Sequence, residues 1–78
     1  MTTFTLGGNT FERTPERLAR LRDALAATER TLARLWDRLA ASRASAVRTE
    51  ELEADEVYLM KTIYTYSKHA DELREILK

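Results

Sequence analysis

The stretch "DEVYLMKTIYTYSKHADEL", Asp55 to Leu73, carries large apolar or aromatic side chains in more directions than one neighbouring helix can cover. At about 100° per residue, Leu52, Leu59, Ile63, Tyr66, Ala70, Leu73 and Leu77 share one side of a helix, and Val57, Met60 and Tyr64 cluster about 130° away. The first set, with Glu56 filling the remaining step, advances by threes and fours and defines a seam. The second set defines another apolar face, and a two-helix hairpin, which buries one stripe per helix, has nothing to put over it.

Upstream, "TPER" announces a helix: Thr14 can cap free N–H groups, Pro15 suits the first helical position, and Glu16 suits the positive end of the dipole. Leu18, Leu21, Leu25, Thr28, Leu32, Leu35, Leu39, Ser42 and Ala46 follow at alternating steps of three and four. This is a coiled-coil seam of four heptads, and a helix over 15–47 would be roughly 50 Å long. Extending its phase past Ala46 brings Thr49, Glu53, Glu56, Ser67 and Arg74 into the seam, so the phase breaks there. "RTEEL" restarts it, with Thr49 as cap and Glu50 and Glu51 in the first turn, predicting a second helix over 50–77. "ASRASAVR" is the connection; it has no Gly or Pro, so a bent continuous helix is the alternative.

A short connection makes the helices antiparallel neighbours. Residues whose numbers sum to about 95 then face each other: Leu18 and Leu77, Leu21 and Leu73, Leu25 and Ala70, Thr28 and Tyr66, Leu32 and Ile63, Leu35 and Leu59, Ser42 and Leu52. Leu39 opposite Glu56 is the one poor match, relieved if the carboxylate reaches Arg38 or Arg43. Thr28 and Tyr66 either share a hydrogen bond or set their hydroxyls at the seam edge as a register device.

The opening "TFTLGGNTFER" alternates Phe4 and Leu6, passes through Gly7, Gly8 and Asn9, and resumes at Phe11, which reads as a short β-hairpin or an extended arm over 1–13. Two strands alone are marginal in water, so Phe4, Leu6 and Phe11 need a helix or a neighbouring subunit to lie on. The expected architecture is therefore all-α: an antiparallel two-helix coiled-coil hairpin over 14–78 with an N-terminal arm, dimerising into a four-helix bundle. Three covers are open to the second apolar face: a second copy, the arm, or a different protein. Closed symmetric dimers are the commonest oligomers, which puts the homodimer first. The expected interface residues are Val57, Met60, Tyr64, Trp36, Phe4 and Phe11.

Composition sets the outer limits. A chain of 78 residues holds one small domain, and without cysteine it has no disulfide or thiolate metal site to reinforce it. Apolar runs are too short to cross a membrane and the N-terminus lacks the features of a signal peptide, so a cytoplasmic location is expected by default. Abundant Arg and Ala with scarce Lys point to a GC-rich bacterial or phage genome. The net charge of zero hides an asymmetry: residues 1–48 carry nine Arg against five acids, and residues 49–78 carry four bases against eight acids. The halves, at +4 and −4, are suited to orient against each other.

Catalytic chemistry finds little footing. His69 is the only histidine and lacks the repeated His/Glu spacing of a metal helix, and Ser42, Ser45 and Ser67 have no base in sequence. "LGGN" is too short for a phosphate loop. The Arg-rich helix beginning near Pro15 resembles that of the helical chorismate mutases, in which Arg holds a dicarboxylate; the chain is shorter than those enzymes, matches no specific motif, and no activity is carried over. No enzyme, cofactor or metal is implied. Arg30, Arg34 and Arg38 fall at i, i+4 and i+8 and form a stripe able to contact nucleic acid or an acidic partner. Glu50, Glu51, Glu53 and Asp55, continued by Glu56, form an acidic patch for a basic partner. The resulting expectation is a homodimeric, non-catalytic protein-binding module, an adaptor or inhibitor acting by steric or electrostatic blocking on a further protein. The alternative is a nucleic-acid-binding dimer using the Arg stripe.

Overall fold

The computed structural model describes residues 2–78 as two strands followed by two long helices. Strands β1 (Thr3–Leu6) and β2 (Asn9–Glu12) pair antiparallel, with Phe4 opposite Phe11 and Thr5 opposite Thr10. The turn between them places Gly7 at φ 60° and Gly8 at φ 82°. Positive φ at both central residues is what a two-residue turn of the primed type demands, and glycine meets it without a Cβ penalty.

Helix α1 (Pro15–Arg43) starts where the sequence places it: the Arg17 N–H donates to Thr14 Oγ1 at 3.2 Å and Pro15 occupies the first turn. Helix α2 (Glu50–Leu77) opens in the same way, with the Leu52 N–H donating to Thr49 Oγ1 at 3.1 Å. The two helices contact each other along an antiparallel hairpin within an envelope of 56 × 20 × 15 Å. A bent continuous helix is thereby excluded.

One expectation on α1 needs correction: the helix ends at Arg43, not near 47. The chain must turn back within residues 44–49, where the Ser45 N–H donates to the Ser42 carbonyl at 3.2 Å and Arg48 fastens the turn. Its guanidinium donates from Nη1 to the Ser42 carbonyl at 3.1 Å, satisfying a C-terminal group of α1. It also forks onto Glu56, with both N–H···O distances 2.8 Å. Ser42 Oγ donates to Glu56 Oε1 at 2.9 Å. The poor Leu39–Glu56 match is relieved by this clasp, and not by Arg38 or Arg43: Glu56 turns to Arg48 and Ser42, leaving Leu39 to pack with Leu59 and Ile63.

The core has two centres. Near the connection, Leu39, Leu59 and Ile63 are buried with Leu32 and Leu35 packed around them. At the open end, Leu21 and Leu73 are buried together with Phe4 of β1, flanked by Leu18, Leu25, Ile76 and Leu77. Between them Thr28 is buried, but its hydroxyl donates to the Ala24 carbonyl at 2.8 Å, not to Tyr66, whose ring stays 37% exposed at the seam edge. Phe4 and Phe11 stack with centroids 5.5 Å apart, and Arg13 Nη1 donates to the Ile76 carbonyl at 2.6 Å, tying the arm to the negative end of the α2 dipole. The arm therefore belongs to its own chain's core. Each fully buried leucine contributes roughly 1.5–3 kcal/mol by area, a large share of the few kcal/mol a domain this size retains.

Two outcomes are expected. In urea denaturation, Leu59→Ala and Leu73→Ala should each cost about 2–5 kcal/mol, whereas Tyr58→Ala, at an exposed position, should stay within about 0.5 kcal/mol. The Arg48 hydrogen bonds, aided by Ser42, hold the Glu56 carboxyl at about 2, below its ordinary 4.5. A carboxyl depressed by folding stabilises the fold above its unfolded pKa and loses that contribution as pH falls through the window from about 4.5 to about 2. Thermal melts across that window should show wild type losing more stability than Glu56→Gln, which has no such proton to take up.

Candidate protein-binding face

The hairpin has two flanks, and the structure treats them differently. On the first, Trp36 of α1 stands beside Met60 and Tyr64 of α2. With Leu39, Arg43, Ile63 and Ser67 they line an open groove of about 330 Å³. Leu39 and Ile63 are buried seam residues, so the floor of the groove is the core itself. Trp36, Val57 and Met60 are each 53% exposed and Tyr64 is 63% exposed. The helical repeat puts Val57 in line with Met60 and Tyr64, extending the apolar strip towards the connection.

Two cations border the groove. Arg43 Nη2 lies 3.6 Å from Met60 Sδ, and Lys68 Nζ sits 5.3 Å from the Tyr64 ring centroid in a cation–π contact. Met60 and Tyr64 nonetheless remain more than half exposed. The sequence identifies this strip through periodicity and names Trp36 as an interface residue; the docking of the two helices shows that they line one groove.

The arm covers a different surface. Phe4 and Phe11 pack at the open end against Leu21, Leu73, Ala24 and Ile76. Beside them a smaller hollow of about 210 Å³ is lined by Phe4, Leu6, Phe11, Arg17, Arg20 and Leu21, with the Arg17 guanidinium 5.8 Å over the Phe11 ring. Phe4 and Phe11, expected at an oligomer or partner interface, pack on their own chain, Phe4 buried and Phe11 partly so. Of the three covers open to the second face, the arm is removed.

The charged candidates separate as well. Arg30, Arg34 and Arg38 are all exposed on the outer side of α1. Arg38 reaches Asp55 at 3.6 Å, whereas neither Arg30 nor Arg34 has an acidic partner within 4.0 Å among the described residues. The acidic patch is not one surface: Glu50, Glu51 and Glu53 stand exposed in the first turn of α2, but Asp55 turns to Arg38 and Glu56 to Arg48. Ser42 beside Glu56 resembles a nucleophile and its base only superficially. Both carboxylate oxygens accept from Arg48, and a carboxyl held near 2 is a poor proton acceptor at neutral pH.

His69 is exposed, and no cluster of three or more His, Asp or Glu side chains able to hold a metal ion occurs among the described residues. No helix is long and apolar enough to cross a membrane among the same residues. Sequence reasoning missed Arg48 and Arg13 as structural residues. Arg48 meets a carboxylate eight positions on and Arg13 meets a carbonyl 63 positions on, neither a spacing that local periodicity marks. No protein-family model, curated protein or solved structure matches the chain.

Proposed function

We propose that this chain is a non-catalytic protein-binding module whose working surface is the flank bearing Trp36, Val57, Met60 and Tyr64. The observation that carries the reading is the solvent exposure of these four large side chains in a strip crossing both helices, beyond the reach of the chain's own arm. Full burial of a large apolar side chain is worth roughly 1.5–3 kcal/mol, of which about half remains to be gained at these half-exposed positions, against about 0–1 kcal/mol for a surface ion pair. A rod of 56 Å with such a strip acts by steric means: it occupies a complementary surface and denies it to others, as an adaptor or an inhibitor does.

A second reading is supported by Arg30 and Arg34, exposed and without acidic partners, which suit phosphate contact in a nucleic-acid-binding dimer. Against it stand the neutral total and the acidic second half.

Trp36 is the only tryptophan, so its emission reports directly on this flank. Docking of a protein partner should shift that emission to the blue. Val57→Asp with Tyr64→Asp should abolish both the shift and the complex while leaving the far-UV circular dichroism unchanged, because both positions are exposed. Arg30→Glu with Arg34→Glu should leave the complex intact. If the arginine pair is the one that matters, and duplex or single-strand binding falls steeply between about 50 and 200 mM salt, the nucleic-acid reading replaces this one.

A further inference from the structure

Four charged residues stand around the apolar strip in a pattern that suggests what covers it. Near the connection, Arg43 of α1 and Glu53 of α2 lie on this flank; towards the open end, Glu29 of α1 and Lys68 of α2 do so. Arg43 is fixed there by its contact with Met60 and Lys68 by its contact with Tyr64. Glu29 reaches across to Arg74 at 3.6 Å with both side chains half-exposed. Signs alternate along each helix and across the pair, so opposite corners carry the same sign and adjacent corners carry opposite signs. Trp36 lies midway between Glu29 and Arg43, and Met60 lies close to midway between Glu53 and Lys68.

This arrangement is self-complementary. A two-fold axis lying in the flank and running across the helices sets Glu53 against Lys68 of the partner subunit and Arg43 against Glu29 of the partner subunit. An axis lying along the helices sets Arg43 against Glu53 of the partner subunit and Glu29 against Lys68 of the partner subunit. Either way each of these four charges meets its opposite, with the Arg74–Asp71 pair beside Glu29 outside the pattern, and the apolar strips meet at the centre. A protein of unrelated sequence has no reason to match this four-cornered pattern; a copy of the same chain matches it by symmetry.

We propose that the occupant of this flank is a second copy of the chain, docked face to face about a two-fold axis through the Trp36–Met60 groove. This rests on the reading of the flank as a protein-binding face. The size is adequate: from Glu53 to Lys68 is about 22 Å of helix at about 1.5 Å per residue. Across the 20 Å breadth of the hairpin that gives a flat footprint on the order of 440 Å² per copy. Accessible area follows the side-chain relief and exceeds the flat footprint, bringing the pair to roughly the 1,000 Å² that a specific interface needs.

Sedimentation equilibrium of the full chain at tens of micromolar should give the dimer mass. Glu53→Lys alone should weaken the dimer about tenfold, because two attractive contacts become repulsive, with the far-UV spectrum retained. Mixing Glu53→Lys with Lys68→Glu should restore association if the axis runs across the helices, since every cross-pair in the mixed dimer is then opposite in sign. The double variant Arg43→Glu with Glu53→Lys should restore it if the axis runs along them. Rescue by one of the two supports the proposal and fixes the axis; rescue by neither overturns it. A monomer mass for the wild-type chain also overturns it but leaves the protein-binding reading standing, since that reading is lost only if no protein partner depends on Val57 and Tyr64.

Discussion

Everything in this molecule follows from its thinness. Two helices laid side by side make a single layer, and a residue in that layer is shielded from water only along the line where the helices touch. Leu39, Leu59, Ile63, Ala70 and Leu73 occupy that line and are buried; side chains a third of a turn away have nowhere to go. At the open end the β-hairpin provides a partial second layer through Phe4 and Phe11. At the connection end no such layer exists, and the closure is polar: Arg48, Ser42 and Glu56 fasten the turn through hydrogen bonds. The two ends of one rod are thus held by different physics, the first by burial and the second by charge-assisted bonding in a place where the Glu56 side chain is only 14% exposed.

Charge segregation between the halves of the chain has a structural outlet. Arg38 meets Asp55 and Arg48 meets Glu56, each linking the basic half to the acidic one, while Glu29 meets Arg74 across the helices with the signs reversed. Exposed pairs of this kind contribute about 0–1 kcal/mol apiece, too little to hold the hairpin together. Their effect is on choice: they favour the antiparallel register over slipped ones in which like charges would meet. Seam leucines alone do not choose so well, since a shift by one heptad still sets apolar residues face to face, as Leu25 against Leu77 and Leu39 against Ile63.

Much of the fold was legible because its determinants are local. Steps of three and four from Leu18 to Leu39 and from Leu52 to Leu77 gave the helices and the faces they bury, and Thr14, Pro15 and Thr49 gave their beginnings. Gly7 and Gly8 gave the turn. The end of α1 was not legible, because no Gly or Pro marks it; the contact that fastens it comes from Arg48, outside the helix. Nor does periodicity say which flank the arm will cover. Val57, Met60 and Tyr64 form one stripe, Ile76 belongs to another, and both ask for a cover; the arm lies on the second, with Phe4 buried against Leu21 and Leu73 and Arg13 bonded to the Ile76 carbonyl. The residues of the candidate face, Trp36 included, were legible as exposed apolar positions, while their meeting in one groove depends on how the helices dock.

The apolar flank and the arginine row need not compete. Arg30 and Arg34 lie on the outer side of α1, well round the helix from Trp36, so a partner seated on the flank leaves them in solvent. When that partner is a second copy, the assembly acquires two such rows on its outside, related by the same two-fold axis. The apolar strip is then consumed in building the unit, and recognition of anything further falls to charged, exposed groups whose contacts weaken with salt. Burial would set the architecture of such an assembly, and electrostatics its choice of partner. That division matches the sequence, which gathers most of its large apolar residues on the seam and the flank and keeps Arg30 and Arg34 free of both.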